Sequence, residues 1–356
     1  MGLRSFIAKR LIYSFILIIA VIGVNFLIFK AMPGDPTEFL MQAFEKGLGQ
    51  EERMRQEQLL RERWGFADPL PLQFAKYVRN LLSFNFGTAI IDKRPVSEVM
   101  AEKIPYTVLL LGGSTVVSII VGVLLGILAI QRRGSAFDTG AVLSSLITGA
   151  LPTFWIGMVF LFIFYTNLGW FPNAGAFPRE WAGGHGPKPF GIEYSFQGYA
   201  FNIQCLIAFN ELFTLVGGYL RHMFLPMLTL VLFNFGGWLL LTRAAMLETI
   251  TEDYILTARA KGVSETAILI KHALKNASLP IITSAAMAFG FVLSGAIITE
   301  TVYTYPGVGG WTFFAINTRD LIVLMAIFYV ISICVIVANI IADLLYGVLD
   351  PRIRYG

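Results

Sequence analysis

Charged residues are scarce in this chain. Of its 356 residues, 14% are charged and 56% are hydrophobic, whereas soluble domains carry about 25% charged residues. The scarcity is concentrated in six uncharged runs, each long enough to cross about 30 Å of hydrocarbon as a helix. These runs are Leu11–Phe29, Tyr106–Ile130, Thr139–Pro178, His222–Thr242, Asn276–Thr299 and Leu321–Ala342. A buried helix of a soluble protein can explain one such run but not six. We therefore predict an all-α polytopic membrane protein with six transmembrane helices.

Residues that carry covalent or metal chemistry are also rare. The chain has two Cys and three His, and none of them has the spacing of a metal site. No GxxxxGK[ST] phosphate loop, HExxH motif or Ser/His/Asp arrangement is visible. We therefore predict that the chain is not an enzyme and binds no cofactor or metal. We also expect the lipid bilayer, and no nucleic acid, among its partners.

Ionisable residues are missing from the predicted spans, although ion-coupled carriers generally need them as relays. Glu300 lies at the end of the fifth run. It is a candidate for a pathway residue or an outer gate. The alternative interpretation is a carboxylate at the outer interface that bonds its own loop.

Positive charge assigns an orientation to the six spans. An even number of spans places both ends on one side, and short loops rich in Lys and Arg face the cytoplasm. The basic residues of the ends and of the first short turn are Arg4, Lys9, Arg10, Arg132, Arg133, Arg352 and Arg354. We predict a multi-pass cell-membrane protein with both termini in the cytoplasm and an uncleaved first span.

The runs divide the chain into three parts. Residues 1–30 form the N-terminus and first span, 31–105 an extracytoplasmic helical segment, and 106–356 a core of five spans. That core contains an external loop, 169–221, and a cytoplasmic loop, 243–280. Helix-forming composition and apolar spacing predict short helices in the extracytoplasmic segment at Gln50–Trp64, Leu72–Leu82 and Pro95–Ile104.

Two features of the predicted spans are open to more than one interpretation. Ile203–Leu220 is predicted as an interfacial or docked external helix; a seventh span is the alternative, and it would reverse the orientation of everything after it. Small residues share a face at Gly122 and Gly126, which lets helices approach closely. This face suits packing within the chain or against another subunit. Pro152 is expected to kink or begin a helix.

The most informative segment is Glu252–Pro280, a polar, basic and helix-prone stretch between two long apolar runs. A chain that is otherwise mostly membrane spans has no need of such a loop for its own insertion. We predict that the loop holds another protein.

Sequence motifs along the whole chain point to one family. They are PGDP at Pro33–Pro36, LRERWG at Leu60–Gly65, LPTFWIG at Leu151–Gly157, MLETITEDYILTARAKG at Met246–Gly262, HALKNASLP at His272–Pro280, ETVYTYPGVGGW at Glu300–Trp311 and LDPRIRY at Leu349–Tyr355. With these motifs in order, the chain resembles the permease subunits of binding-protein-dependent ABC importers. The branch is the one that transports dipeptides, oligopeptides and nickel, and the chain is similar to the first permease of the pair.

The resemblance implies a type I-like importer permease that forms half of a translocation pathway. Its implied partners are a homologous second permease, two ABC ATPase subunits that carry ATP-Mg, and an extracytoplasmic solute-binding protein. The implied solute is a peptide or a similar small organic molecule, with an oligosaccharide as a possibility. A secondary, ion-coupled transporter is the alternative function.

The resemblance also implies that the cytoplasmic loop docks on the ATPase. The family pattern of Glu-Ala-Ala reads Leu256, Thr257 and Ala258 here, whereas the later Gly262 fits. The implied coupling residues are Tyr254, Thr257, Ala258, Arg259, Ala260, Lys261 and Gly262. The small side chains permit close docking, the basic ones can pair with carboxylates across an interface, and Gly262 can adopt a positive φ that ends the helix.

Overall fold

The structure, a computed structural model, describes residues 3–31, four positions between 51 and 58, residues 68–178, residue 181 and residues 209–349. Most of the predicted helix Gln50–Trp64 and most of the external loop before residue 209 lie outside the described residues. The regular elements in the described part are helices, with one isolated β-bridge between Thr88 and Pro95.

Helices account for most of the described chain. They are α1 (Leu3–Ala31), α2 (Leu70–Leu82), α3 (Val96–Thr107), α4 (Gly113–Gln131), α5 (Ala136–Ala150), α6 (Thr153–Phe160), α7 (Phe209–Thr249), α8 (Asp253–Ala260), α9 (Leu274–Gly290), α10 (Ile297–Val302), α11 (Val308–Thr318) and α12 (Leu321–Leu349). Wider π-helical turns follow α3, follow α6 and precede α9; they are Val108–Gly112, Leu161–Asn167 and Ile268–Ala273. The predicted helices at Leu72–Leu82 and Pro95–Ile104 are confirmed.

Three of the six predicted spans are single helices that are long and apolar enough to cross a membrane. They occupy Val96–Gln131, Thr214–Thr249 and Leu321–Ile341. The run Thr139–Pro178 folds as two helices, α5 and α6, bent by 98° at the break before α6. Pro152 stands at that break, as predicted, because proline suits a helix start and restricts the residue before it. The first run lies in α1, whose apolar stretch is Ile12–Ile28.

The fifth predicted span, Asn276–Thr299, is not one continuous helix. Helix α9 ends at Gly290, a short 3-10 turn follows at Val292–Ser294, and α10 starts at Ile297. Gly295 has a φ of +74°, a conformation that glycine adopts without steric cost. The absence of charge identified an apolar run here, but the glycines divide its backbone into shorter pieces.

The outer helix predicted at Ile203–Leu220 is not a separate element. From Phe209 onward it forms the first turns of α7, a helix of 41 residues that continues to Thr249. The predicted external loop 169–221 therefore ends in helix. Gly217 and Gly218 do not interrupt α7, because a glycine in a helix interior costs only about 1 kcal/mol relative to alanine.

The described residues group into two compact units. The first contains the described residues that fall within Met1–Pro105, Ile282–Gly295 and Trp311–Gly356. In this unit α1 packs along α12, and α2 lies against α1 through Phe26, whose ring centroid is 5.4 Å from that of Phe74. The Asp320 carboxylate caps α12 by accepting the backbone N–H of Val323 at 3.1 Å, and it also accepts that of Ile90 at 2.7 Å.

The second unit comprises Tyr106–Ile281 and Ala296–Gly310, and its centre is α7, which packs on α4, α5 and α6. Gly122 and Gly126 of α4 face α7 directly. A Cβ at Gly122 would clash with Trp238 Cβ and would lie 2.6 Å from the carbonyl oxygen of Phe235. The small-residue face of α4 thus serves packing within the chain, which is the first of the two interpretations given above.

Candidate functional site

The segment predicted to hold another protein forms a short helix, α8, with well-defined ends. Glu252 precedes it in extended conformation, and Asp253 stands in the first turn, where a negative charge is favourable beside the positive end of the helix dipole. At the other end Gly262 has a φ of +74°. The N–H of Val263 bonds the carbonyl of Ala258 at 3.2 Å, which is the closing bond of a Schellman C-cap. The predicted positive φ of Gly262 is confirmed.

One side of α8 is anchored to the chain's own core. Ile255 is fully buried, and Ala258 is 8% exposed. They join a cluster that also contains Ile130, Met246, Ile268, Leu269, Ala273 and Ala277. From the sequence, Ala258 is predicted to belong to the docking surface because it is small. Its side chain instead faces inward, so its small size allows α8 to approach the turn Ile268–Ala273.

The opposite side of α8 is exposed. Leu256 is 60% exposed, and Thr257, Ala260 and Lys261 are exposed as well. From the sequence, Leu256 is noted only as a departure from the family motif and is not among the predicted coupling residues. The signal available in the sequence was a second large apolar residue, directly after Ile255, in a short and otherwise polar helix. The structure thus presents a shallow surface of one leucine, two small residues and one lysine.

Arg259, predicted to pair with a carboxylate of another subunit, is engaged within the loop. Its Nε donates to Glu265 Oε1 at 2.8 Å and its Nη2 donates to Glu265 Oε2 at 3.1 Å. This hydrogen bonding from Arg259 lowers the pKa of Glu265. Both side chains are exposed, and ion pairs on the surface contribute little to stability because water and salt screen them. A carboxylate on a partner could therefore compete for Arg259 at little cost.

Tyr254 connects α8 to the HALKNASLP motif. The amide Nδ2 of Asn276 donates to the Tyr254 hydroxyl oxygen at 2.6 Å. Since Asn276 lies in the first turn of α9, this bond and the buried cluster hold α8 against the start of the next helix. Tyr254 is 38% exposed, and the structure gives it a positioning contact.

Glu300 lies elsewhere, in α10, and its side chain is fully buried. The carboxylate accepts hydrogen bonds from Thr107 Oγ1 at 3.0 Å and from the backbone N–H of Gly310 at 2.9 Å. A Cβ at Gly307 would clash with Glu300 Oε2, so the loop closes over the carboxylate only because this residue is glycine. This geometry favours the interpretation in which Glu300 bonds its own loop.

The arrangement around α8 has the features of a docking surface and not those of a catalytic site. The helix is fixed on one side, closed by a glycine turn and exposed on the other side. Within the part of the chain that the structure describes, no group of three or more His, Cys, Asp or Glu side chains is placed to hold a metal ion.

Comparison with known proteins gives a consistent result along the whole chain. Residues 118–355 match the family described as binding-protein-dependent transport system inner membrane component, and residues 3–111 match the N-terminal region of such components. The chain is 33% identical over 354 residues to the oligopeptide transport system permease protein AppB of Bacillus subtilis, covering 99% of this chain and 100% of that protein. It is 32% identical over 358 residues to the di/tripeptide transport system permease protein DppB of Pseudomonas aeruginosa, covering 99% of each.

Proposed function

This chain belongs to the family of inner membrane components of binding-protein-dependent transport systems, and from that membership we propose how it takes part in transport. It is a permease subunit of an ABC importer. We propose that it forms half of the translocation pathway together with a homologous second permease. Two ATPase subunits bind ATP-Mg in this assembly, and an extracytoplasmic protein delivers the solute.

The proposed coupling element is α8, and the one-sided burial of this helix carries the proposal. Ile255 and Ala258 attach it to the permease, whereas Leu256, Thr257 and Ala260 face outward. A helix fixed by one face can transmit a push that it receives on the other. We propose that the ATPase docks on the outward face, with Leu256 as the apolar centre of the contact and Lys261 at its rim.

The proposed solute is a peptide. Relatives that align with this chain over nearly its full length are named for oligopeptide and di/tripeptide transport. The preference for peptides is to be tested on the partner binding protein, by mass spectrometry of the solute that copurifies with it. Recovery of an oligosaccharide or a metal complex instead would contradict the peptide assignment and leave the coupling proposal unaffected.

The proposed membrane arrangement retains six spans and two cytoplasmic termini. Arg132 and Arg133 lie in the short turn between α4 and α5, and the basic loop with α8 lies after α7. Placing both on the cytoplasmic side agrees with the positive-inside rule and puts α8 where ATPase subunits are found. The interrupted fifth run counts in this proposal as one crossing.

Coupling is tested by copurification. We expect the wild-type chain, coexpressed with the second permease and the ATPases, to retain both ATPase subunits in detergent. Leu256→Glu places an unpaired charge at the centre of the contact, so recovery of the ATPases should fall at least tenfold. The matched control is Ile270→Glu, which changes an apolar residue of the same loop that is 52% exposed, against 60% for Leu256, and it should retain the ATPases.

Two results would contradict the proposal. If the wild-type chain recovers no ATPase from a membrane that contains both subunits, the chain does not couple in this way. If Leu256→Glu and Ile270→Glu lose the ATPases equally, the loop contributes charge or folding in general, and α8 is not the specific contact.

A further inference from the structure

We propose that Asp138 and Arg243 act as a positioning pair for transport, by fixing the register of α5 against α7 at the end of the core that carries α8. The proposal rests on the coupling function of α8 given above and extends it to two residues on other helices. Neither residue belongs to the surface of α8, and neither would touch the ATPase in that arrangement.

The two side chains form a bidentate pair that is largely shielded from solvent. Arg243 Nε donates to Asp138 Oδ1 at 2.8 Å, and Arg243 Nη2 donates to Asp138 Oδ2 at 2.9 Å. Asp138 is 4% exposed. Two parallel bonds between planar groups define distance and orientation together. The pair therefore restricts sliding and rotation between the helices, which apolar contacts alone do little to prevent.

Asp138 is itself held by the turn that precedes α5. The N–H of Gly134 donates to Asp138 Oδ2 at 3.1 Å, and Gly134 has a φ of +77°. Ser135 is the N-cap of α5, and its Oγ accepts the N–H of Asp138 at 3.3 Å. The carboxylate is thus fixed to the backbone of the turn as well as to the helix. Any movement of Arg243 is transmitted to the start of α5.

Arg243 is close to the anchor of α8. Met246, three residues later on α7, lies on a neighbouring helix position and is fully buried in the cluster that contains Ile255 and Ala258. A displacement of α8 would act on α7 through Met246. Arg243, which forms the ion pair, lies about one helical turn before Met246 on the same helix. Arg243 connects this path to α5 through its two bonds to Asp138.

Beyond the pair, α5 and α7 are in close contact. Asp138, Ala141 and Ser145 are the buried residues of α5, and they lie on one helical face. A Cβ at Gly236 of α7 would lie 2.8 Å from Ser145 Cβ. Because this contact is tight, α5 and α7 can move together only if they do not slide along each other. The Asp138–Arg243 pair, at the start of α5, prevents that sliding.

The movement can then continue to the bent pair of helices. Helix α5 meets α6 at 98°, and Gly157 of α6 accepts a hydrogen bond from the Tyr303 hydroxyl at 3.2 Å. Tyr303 also bonds Thr229 of α7 through the two hydroxyl oxygens, 2.9 Å apart. Packed helices that share such fixed contacts shift as a set rather than one by one. The pair therefore connects the coupling helix to this set.

The test uses the complete importer in lipid nanodiscs: both permeases, both ATPases and the binding protein with the solute that copurifies with it. The readout is the ratio of ATP hydrolysis with saturating binding protein to hydrolysis without it. Asp138→Asn combined with Arg243→Gln removes both charges and leaves neither unpaired. We expect this double variant to reduce the ratio at least fivefold, with the ATPase subunits still bound and the melting temperature within a few degrees of wild type.

Two further variants separate positioning from folding. Arg243→Lys keeps the charge and leaves the Gly134 bond to Asp138 in place, but it replaces two parallel bonds with a point charge. Its ratio should therefore lie between those of the wild type and the double variant, with an unchanged melting temperature. The matched control is Arg94→Gln, which breaks a bidentate pair of Arg94 with Glu102 in the outer segment, where Arg94 Nη1 lies 3.0 Å from Glu102 Oε2. This control should keep the wild-type ratio.

Three results would overturn the inference. They are a double variant with the wild-type ratio, a loss that matches the loss of folded complex, and an equal loss in Arg94→Gln. In each of these the coupling proposal survives, provided that Leu256→Glu still releases the ATPases. A wild-type chain that binds no ATPase overturns the coupling proposal, and this inference with it.

Discussion

At the residue scale, Gly262 is the position where backbone conformation and proposed function coincide most closely. Its φ of +74° is accessible to glycine but strained for other residues, most of all β-branched ones. Gly262→Val should cost about 1–3 kcal/mol of local strain. We expect normal abundance in the membrane, reduced recovery of the ATPases on copurification, and loss of uptake. Gly262→Ala should have a smaller effect of the same kind.

The matched control for Gly262→Val is Gly140→Val. Gly140 is an exposed helical glycine of α5, and a Cβ there would meet nothing within 4 Å. This variant should keep ATPase association. If Gly262→Val also transports at the wild-type rate, the turn after α8 tolerates other conformations and does not position the coupling helix.

Glu300 provides a second residue-scale prediction, in which a structural role and a pathway role give different results. Glu300→Ala removes the acceptor for Thr107 and for the N–H of Gly310. A buried donor left unsatisfied costs about 1–3 kcal/mol. We expect a clear decrease in the melting temperature of the purified permease, with transport reduced in proportion to folded protein.

Thr107→Val is the companion variant for Glu300. Thr107 Oγ1 also accepts the N–H of Val308 at 2.7 Å, so its loss should produce a similar, smaller decrease in melting temperature. A Glu300→Ala protein with unchanged melting temperature and abolished transport would instead favour the pathway role for Glu300.

At the element scale, the close contact between α4 and α7 predicts opposite effects for two glycines. Gly122→Ala would place a Cβ against Trp238 and the Phe235 carbonyl, and overpacking of this kind costs about 1–3 kcal/mol. Gly237→Ala lies on α7, where a Cβ meets nothing within 4 Å, and alanine is favoured over glycine in helices by about 1 kcal/mol. Thermal unfolding in detergent should show a lower midpoint for the first variant and an equal or higher midpoint for the second. Equal midpoints would contradict the packing of α4 on α7.

The helices could be predicted from the sequence where apolar length alone decides the structure. The runs that became α4, α7 and α12 contain no charge, and nothing in them interrupts the backbone before the run is long enough to cross a bilayer. The run Asn276–Thr299 has the same composition, but the backbone turns at Gly290 and Gly295. Whether a helix continues through a glycine depends on the tertiary neighbours of that glycine. Helix α7, for example, continues through Gly217 and Gly218. Composition does not contain that information.

The candidate site could be predicted in position but not in the direction of every side chain. The turn at Gly262 followed from the stereochemistry of one residue type, and the structure bears it out. Ala258 and Ala260 are identical in type and two residues apart, yet one is buried and the other exposed. Only the location of the cluster around Ile255 and Ile268 distinguishes them. That cluster forms from residues of α4, α7 and α9 that are distant in sequence.

At the scale of the whole molecule, the chain is expected to require its partners for ATP turnover. The sequence contains no phosphate loop, and the nucleotide in this proposal is bound by separate ATPase subunits. The purified chain alone should hydrolyse no ATP above a blank, and hydrolysis should appear on addition of those subunits. Substantial turnover by a preparation shown to be free of ATPase would refute this division of roles.

Membrane orientation gives the last prediction, because the direction of α8 relative to the bilayer decides whether an ATPase can reach it. The positive-inside rule puts Ser135, beside Arg132 and Arg133, and Ser264, just after α8, on the cytoplasmic side. It puts Ser83, at the end of α2, outside. In a chain without its own cysteines, single cysteines at Ser135 and Ser264 should resist a membrane-impermeant maleimide in intact cells and react after permeabilisation, whereas one at Ser83 should react in intact cells. Because α7 is continuous from Phe209 to Thr249, it crosses once, so Ser264 depends on the crossings before it. Labelling of Ser264 from outside, with Ser135 protected, would require one crossing more or one fewer between residues 136 and 208, as when the bent pair α5–α6 re-enters instead of crossing. Either case would place α8 out of reach of any cytoplasmic ATPase.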